Sequence, residues 1–460
     1  MPHAASSSER APEQAATPSV RTVSPTILPS AVRHQLFFLL SILVILVAIG
    51  SPSSGMFGTA LPLLLKSKLH LGVSEQSSFL ALAAIPVFLS PIFGFIRDLW
   101  NPFGMRDRGF ILLFGSLTVA LYIFLAFVPV TWATLLGAFL LLSASFRLVS
   151  SATNGLLAVL GQQHTMSGQV GVLWSVVLWT IAAASSLLGG RVSDLLAGQS
   201  ADAAFHSLFL VGAAAIAGVV LYGWLRPAVV FDNIRAERQG APHPINDLTR
   251  LLKYWPVYPA LLIWLLWNFA PGSDTSLRNY LQDTFHATGT QWGEWNAIFS
   301  LSFIPTALAF GFLCTSTPLG RLLVWGTLIG VPQMVPLLFI HSMNDAFVAA
   351  IPMGLMGGIA SAAYVSLIIR SCPPGLQGTV MMLSFALESL SLRLGDRLGT
   401  YLSYSFGGFQ ICVIAITIVY ALILPVILLV PRRLIVSPDG EMPEATSTQS
   451  PSLNSPATGA

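Results

Sequence analysis

Apolar runs of 18 or more residues recur along this chain from Leu36 to Val430. A helix of that length crosses the hydrocarbon core of a bilayer, and there the backbone must satisfy its own hydrogen bonds within the segment. Only 9% of the residues are charged, about a third of the roughly 25% found in soluble domains. Mean hydropathy is +0.74. The chain reads as a polytopic, all-α membrane protein.

The runs divide into twelve transmembrane helices at 36–65, 75–97, 109–129, 131–160, 168–192, 204–225, 256–283, 292–313, 321–341, 345–370, 377–404 and 406–430. The only long polar connection, 226–255, separates an N-terminal six-helix bundle (34–225) from a C-terminal one (256–430). The tails, 1–33 and 431–460, are rich in Ala, Ser, Pro and Thr and are expected to be disordered. The first is not patterned as a signal peptide, because its apolar run begins only at Leu36 and is too long.

Lys and Arg bias gives the orientation. Loops after even spans carry Arg106, Arg108, Arg235, Arg250 and Arg321, and Arg33, Arg432 and Arg433 flank the ends. Loops after odd spans carry mainly Asp202, Asp283, Glu294 and Asp345, with Lys66 and Lys68 as the exception. Both termini are therefore expected in the cytoplasm, with the protein in the cytoplasmic (inner) membrane.

Other classes find little support. A net charge of +3 without a basic aromatic patch does not suggest nucleic acid. Cys314, Cys372 and Cys412 are too far apart in sequence for a disulfide framework, and the histidines lack metal-type spacing. No phosphate-cradling Gly-rich loop leads to Lys-Ser/Thr, so no ATP site or other cofactor is expected. An intramembrane enzyme would need a cluster of catalytic side chains at one depth, and none is visible.

Spans three, six, nine and twelve have no ionisable residue in their interiors, whereas spans four, five, seven and eleven do. Ionisable groups at membrane depth face protein or a water-filled cavity. Every third helix is thus expected to face lipid while the others surround a central cavity. The halves also repeat each other. "GFIRDLWNPFG" parallels "GFLCTSTPLG", "KLHLGVSEQ" parallels "TFHATGTQWGE", and "GGRVSDLL" parallels "GDRLGTYL". Two pseudo-symmetric six-helix bundles with a site at their interface are a known transporter layout.

Gly94, Asp98, Gly104, Arg106 and Arg108 lie in "GFIRDLWNPFGMRDRGF". They resemble the loop signature of the major facilitator superfamily, a Gly and an Asp followed by basic residues. With "PGSDTSLRNY" and "SCPPGLQGTVMMLSFAL", the resemblance narrows to the folate–biopterin transporter family and covers about 34–430. It implies a secondary transporter and a gating role for the Asp98 loop. One departure stands out: that family tends to carry two acids in span four, where this chain has Ser150 and Asn154, with Arg147 nearby.

Candidate sites follow. Asp98 reads either as one acid of a positive-inside loop or as a cytoplasmic gate, docking on the exposed N–H groups where Pro373 and Pro374 precede span eleven. In span seven, "WNFAPGSDTSLRNY" places Asn268, Asp274 and Arg278 around Pro271 and Gly272, about 22 Å from the inner end. In span one, Gly50 and Pro52 fall at matching depth. Paired broken helices point to a transporter site, although Asp274 and Arg278, four apart, are equally a structural ion pair beside a kink. Arg147, near the middle of span four, has no acid within a helical turn; its partner is an acid on another helix or an anionic substrate. Glu388 is the mid-depth acid of span eleven and the candidate for protonation, or else the partner of an arginine across the cavity. Arg393, Asp396 and Arg397, with Arg191 and Asp194 in the repeat-related place, form a candidate outer gate or structural pairs.

The sequence thus reads as a monomeric secondary transporter, not an enzyme, moving a small organic solute by alternating access. The solute is expected to be anionic, a pteridine or folate among the candidates, and the coupling ion H⁺. The rival is a non-transporting membrane assembly factor or receptor of the same fold.

Overall fold

The computed structural model describes residues 28–52, Phe57, Leu61, Leu65, Leu69, and 73–128, 131–196, 201–232, 244–406 and 408–441, without the side chains at 73, 74, 77, 189–196 and 201–205. Among these residues all regular structure is helical. Spans one to six are Ser30–Ile49, the consecutive segments Val73–Ala83, Ile85–Phe88 and Ser90–Leu99, then Asp107–Phe127, Trp132–Gln163, Ser167–Leu196 and Ala201–Leu225. Spans seven to twelve are the broken pair Val257–Asn268 and Thr275–Phe285, then Gly289–Leu313, Leu319–Gly330 with the 3-10 turn Val335–Phe339, Met343–Ser371, Gln377–Ser405, and Phe409–Ala421 continued by Ile423–Ile427.

Ten of these spans are long and apolar enough to cross a membrane by length and composition. The exceptions are span seven, whose apolar part is only Val257–Asn268, and span eleven, which carries Glu388, Arg393, Asp396 and Arg397. Of their charged groups, Glu388 and Asp396 are half-buried among other helices, whereas Asp274, Arg278, Arg393 and Arg397 are exposed. Large exposed apolar side chains mark the outward faces of spans three (Leu117, Phe124), six (Leu221, Trp224), nine (Trp325, Ile329) and twelve (Ile414, Ile418).

Local chemistry explains the helix limits. Thr131 and Thr288 start spans four and eight with reciprocal capping boxes to Thr134 and Gln291, satisfying N–H groups that a helix start leaves open. The first helix segment of span one ends at Ile49, where Pro52 has no N–H to continue the hydrogen-bond ladder, and Phe57, Leu61 and Leu65, within the expected 36–65, are again helical. The Gly50 carbonyl instead accepts from the Tyr122 hydroxyl of span three at 2.8 Å.

Span seven breaks at 269–274, where Gly272 has φ +84°. Span eleven holds this break from inside the same half. A Cβ on Gly399 would lie 1.9 Å from the Gly272 nitrogen, so the helix backbone itself packs on the break. Asp396 accepts from the Thr275 N–H at 2.9 Å and its hydroxyl at 2.8 Å, capping the second half of the span.

The two halves meet along span two against eleven and span five against eight and ten. Side chains are missing at the tightest points. A Cβ on Gly94 would lie 2.5 Å from the Gly378 carbonyl oxygen, and one on Gly171 would lie 3.0 Å from that of Ala362.

Between the halves, residues 226–255 include the short helices Ala228–Phe231 and Pro244–Lys253; Arg235 lies outside the described residues. So do 1–27 and 442–460 of the two tails. Residues 431–441, expected to be disordered, are placed against the helix ends: Arg432–Ile435 is helical and Asp439 is 5% exposed. Leu434 and Ile435 pack against the core, and polar bonds at Asp439 hold the rest, which leaves little apolar pattern to read.

Candidate functional site: a cavity between the halves and its closure

A cavity of about 360 Å³ lies between spans one, four, five and eleven. Arg147, Ser150 and Asn154 line it from span four, Trp174 from span five, and Phe385 and Glu388 from span eleven. Spacing puts Arg147, Ser150 and Asn154 on one helix face, since positions three and four apart stack on an α-helix. Arg147 is buried, and the charges of Arg147 and Glu388 act on each other across the boundary between the halves. Glu388 Oε2 is buried without a hydrogen-bond partner. Asn154 donates to the Ser150 carbonyl at 2.9 Å and hydroxyl at 3.1 Å.

Aromatic rings from three helices meet at the cavity wall. The Trp174 ring meets Trp264 at 6.0 Å and Phe385 at 5.9 Å between centroids. Phe385 lies about 12 Å along span eleven from its start and Glu388 about 16 Å. The Trp264 indole N–H donates to the Ser384 carbonyl, which fixes that ring against span eleven.

Asn268, Asp274 and Arg278 are not among the lining residues. Asn268 donates to the Trp264 carbonyl one turn back in its own helix. Asp274 and Arg278 are exposed at the start of the second half of span seven. The outer-gate candidates separate as well. Asp396 is taken up within its own half by Thr275. Arg393 crosses to the other half, its guanidinium 5.9 Å above the Phe88 ring. Arg397 is exposed, and the side chains of Arg191 and Asp194 lie outside the described residues.

On the termini side, Asp98 accepts from the backbone N–H of Gly378 at 3.1 Å and from the N–H and hydroxyl of Thr379, both at 2.7 Å. It thus caps span eleven from span two, where the helix start carries a partial positive charge. Its side chain is wholly buried. Arg97 sits between Asp98 at 2.7 Å and Asp107 at 2.6 Å. Two carboxylates, one guanidinium and one helix start thus balance charge in a buried place.

The other members of the expected cluster act differently. Gly104 (φ +70°) makes the turn, and Arg106 is exposed and contributes its backbone N–H to Asn101. Arg108 donates to the Gly223 carbonyl at the end of span six. Sequence reasoning passed over Gln162, which donates to the carbonyls of Ile369 and Cys372 at 2.8 Å and accepts from Gln377 at 3.0 Å. No sequence signal marks a glutamine at a helix end for such a role.

Known proteins share this architecture. FucP in its outward conformation, from the E. coli fucose:proton symporter, superposes with a TM-score of 0.65 at 16% identity, covering 86% of this chain and 98% of that one. The human organic anion transporter MFSD10 gives 0.63 at 15%, over 87% and 100%. In sequence, the chain is 23% identical over 373 residues to a folate-biopterin transporter of Synechocystis sp., 77% of this chain and 72% of that protein. The model of the Major Facilitator Superfamily matches residues 43–395. With that match over most of its length, and with twelve helices in two bundles about a cavity, the chain belongs to the major facilitator superfamily and is a transporter rather than an enzyme.

Proposed function

We propose that this protein is a secondary active transporter of a small organic anion, working by alternating access, with Arg147 as the anion-binding group and Glu388 as the proton carrier. The observation that carries this is the apposition of Arg147 and Glu388 from opposite halves in one buried cavity. Empty, the pair is neutral. An anionic substrate adds one negative charge, and one proton on Glu388 removes it, so the loaded cavity is again neutral when the halves rock. A charge moved uncompensated through a bilayer is costly, and this exchange avoids it. Likeness to a fucose:proton symporter supports H⁺ as the ion. Planar aromatic surfaces at Trp174 and Phe385 suit a flat heteroaromatic acid, and likeness to a folate-biopterin transporter favours pteridines or folates.

Asp98 serves as the cytoplasmic latch of the closed state, with both termini in the cytoplasm of a cell whose inner membrane holds the protein as a monomer. Thermal shift of purified protein against pterins, folates, other organic anions and their neutral analogues tests the substrate class, since a ligand of the folded state raises Tm. Stabilisation by anions, lost in Arg147→Ala, is expected; stabilisation only by neutral or cationic compounds would sink the anion reading.

A further inference from the structure

The repeat that relates the two halves has a gap at the latch. Aligning "GFIRDLWNPFG" with "GFLCTSTPLG" puts Cys314 opposite Arg97 and Thr315 opposite Asp98. The C-terminal half therefore has no acid at the end of span eight with which to cap the start of span five. That helix start is nonetheless capped by a carboxylate. Asp439 accepts from the Gly168 N–H at 2.7 Å, the Gln169 N–H at 3.1 Å and the Ser167 hydroxyl at 3.3 Å.

The correspondence is close. Asp98 binds N–H groups and a hydroxyl within "QGT" at the start of span eleven, and Asp439 does the same within "SGQ" at the start of span five. Each acid is held to its own half by an arginine, Arg97 for Asp98 and Arg370 for Asp439, both at 2.7 Å. Cys314, in the place of Arg97, also touches its acid: the Asp439 N–H donates to the Cys314 carbonyl at 2.8 Å, and the thiol lies 3.9 Å from Oδ2. Burial, with Asp439 beside it, pushes the Cys314 thiol up, so it stays a neutral donor. Arg370 further grips the carbonyls of Leu434 and Ser437, and Gly440 N–H reaches the Thr165 carbonyl in the other half.

We infer that residues 431–441 are a gating element and that Asp439 is the second latch, supplying from the C-terminal segment the carboxylate that the second repeat lacks. The segment is fastened to the C-terminal half through Arg370 and Cys314 and closes on the N-terminal half at span five. Two latches of opposite direction then hold the same side shut, each half lending one acid to a helix start of the other.

The inference rests on the alternating-access reading, and one experiment separates the two. Cys372 is buried between the halves, and its thiol donates to the Ile368 carbonyl rather than to Asp439. Its alkylation by N-ethylmaleimide, followed by mass spectrometry in detergent, reports opening of the termini side. Cys412, buried within the C-terminal half against Gly272, reports loss of fold. Asp439→Asn, and a chain ended after Ser437, should each raise Cys372 modification several-fold while Cys412 stays protected. Asp98→Asn should do the same. If Asp98→Asn opens the site and both changes at 439 leave it closed, the second latch is wrong and the gate reading stands. If none of the three has an effect, both fail. A parallel rise at Cys412 in both C-terminal variants would mean lost structure and would also overturn the assignment.

Discussion

Asp98 in span two and Thr379 in span eleven are joined by two hydrogen bonds of 2.7 Å to a single carboxylate oxygen, across the boundary between the two halves. Hydrogen bonds to a charged group contribute about 1.5–3 kcal/mol. Asp98→Asn keeps size and loses charge, so the closed state should lose roughly tenfold or more in population. Turnover in reconstituted vesicles should fall while expression and substrate affinity change little. Unchanged turnover would leave Asp98 as a loop residue with no part in gating.

Glu388→Gln removes the protonatable oxygen in the cavity while keeping its shape. Concentrative uptake should vanish, and counterflow exchange, which needs no net proton movement, should persist. Loss of both activities would identify the Arg147–Glu388 pair as purely structural.

Arg147→Lys keeps the charge but loses the planar fork that binds a carboxylate at two points. Affinity for an anionic ligand should weaken by about 1–3 kcal/mol, read by titration calorimetry on purified protein. A variant that binds as tightly as the parent would assign Arg147 to Glu388 alone.

Gly399→Ala places a methyl where the Gly272 backbone already lies. Overpacking of this kind costs about 1–3 kcal/mol, so Tm should drop with no ligand present. Tm equal to that of the parent would mean that the break in span seven is free to shift.

Orientation is checked by fusing alkaline phosphatase at Ala201 and at Gln239. Activity at Ala201 and none at Gln239 is expected from the Lys and Arg bias; the reverse would invert the protein in the membrane.

Much of this was legible in the sequence. Apolar runs, the polar interruption at 226–255 and the repeated segments suffice for twelve helices in two bundles, because membrane depth imposes length and composition so strictly. The breaks at Pro52 and Pro271 were legible for the same reason, proline having no N–H to give. Across the halves, the docking of Asp98 on the start of span eleven was legible too, but other relations were not. Nothing near Arg147 in the chain points to Glu388, which only packing brings to it. Asp396 looked like a gate because charge in a span suggests function, yet its oxygens are taken up by Thr275 in its own half. Asp439 stood in a mainly polar segment, and its partners across the halves are two backbone N–H groups and the Ser167 hydroxyl, which leave little side-chain pattern to read.

The bare backbone contacts at Gly94 and Gly171 also bear on how fast the molecule works. At those two points backbone meets backbone, and parting it requires no rotamer to swing clear, so that part of the seam behaves like a smooth bearing. Elsewhere Trp179 of span five stacks on Phe303 of span eight at 4.0 Å between centroids. Resistance to opening is then concentrated in a few ring contacts and polar clasps, and the speed of the transport cycle becomes a property that single contacts can set, without redesign of the interior.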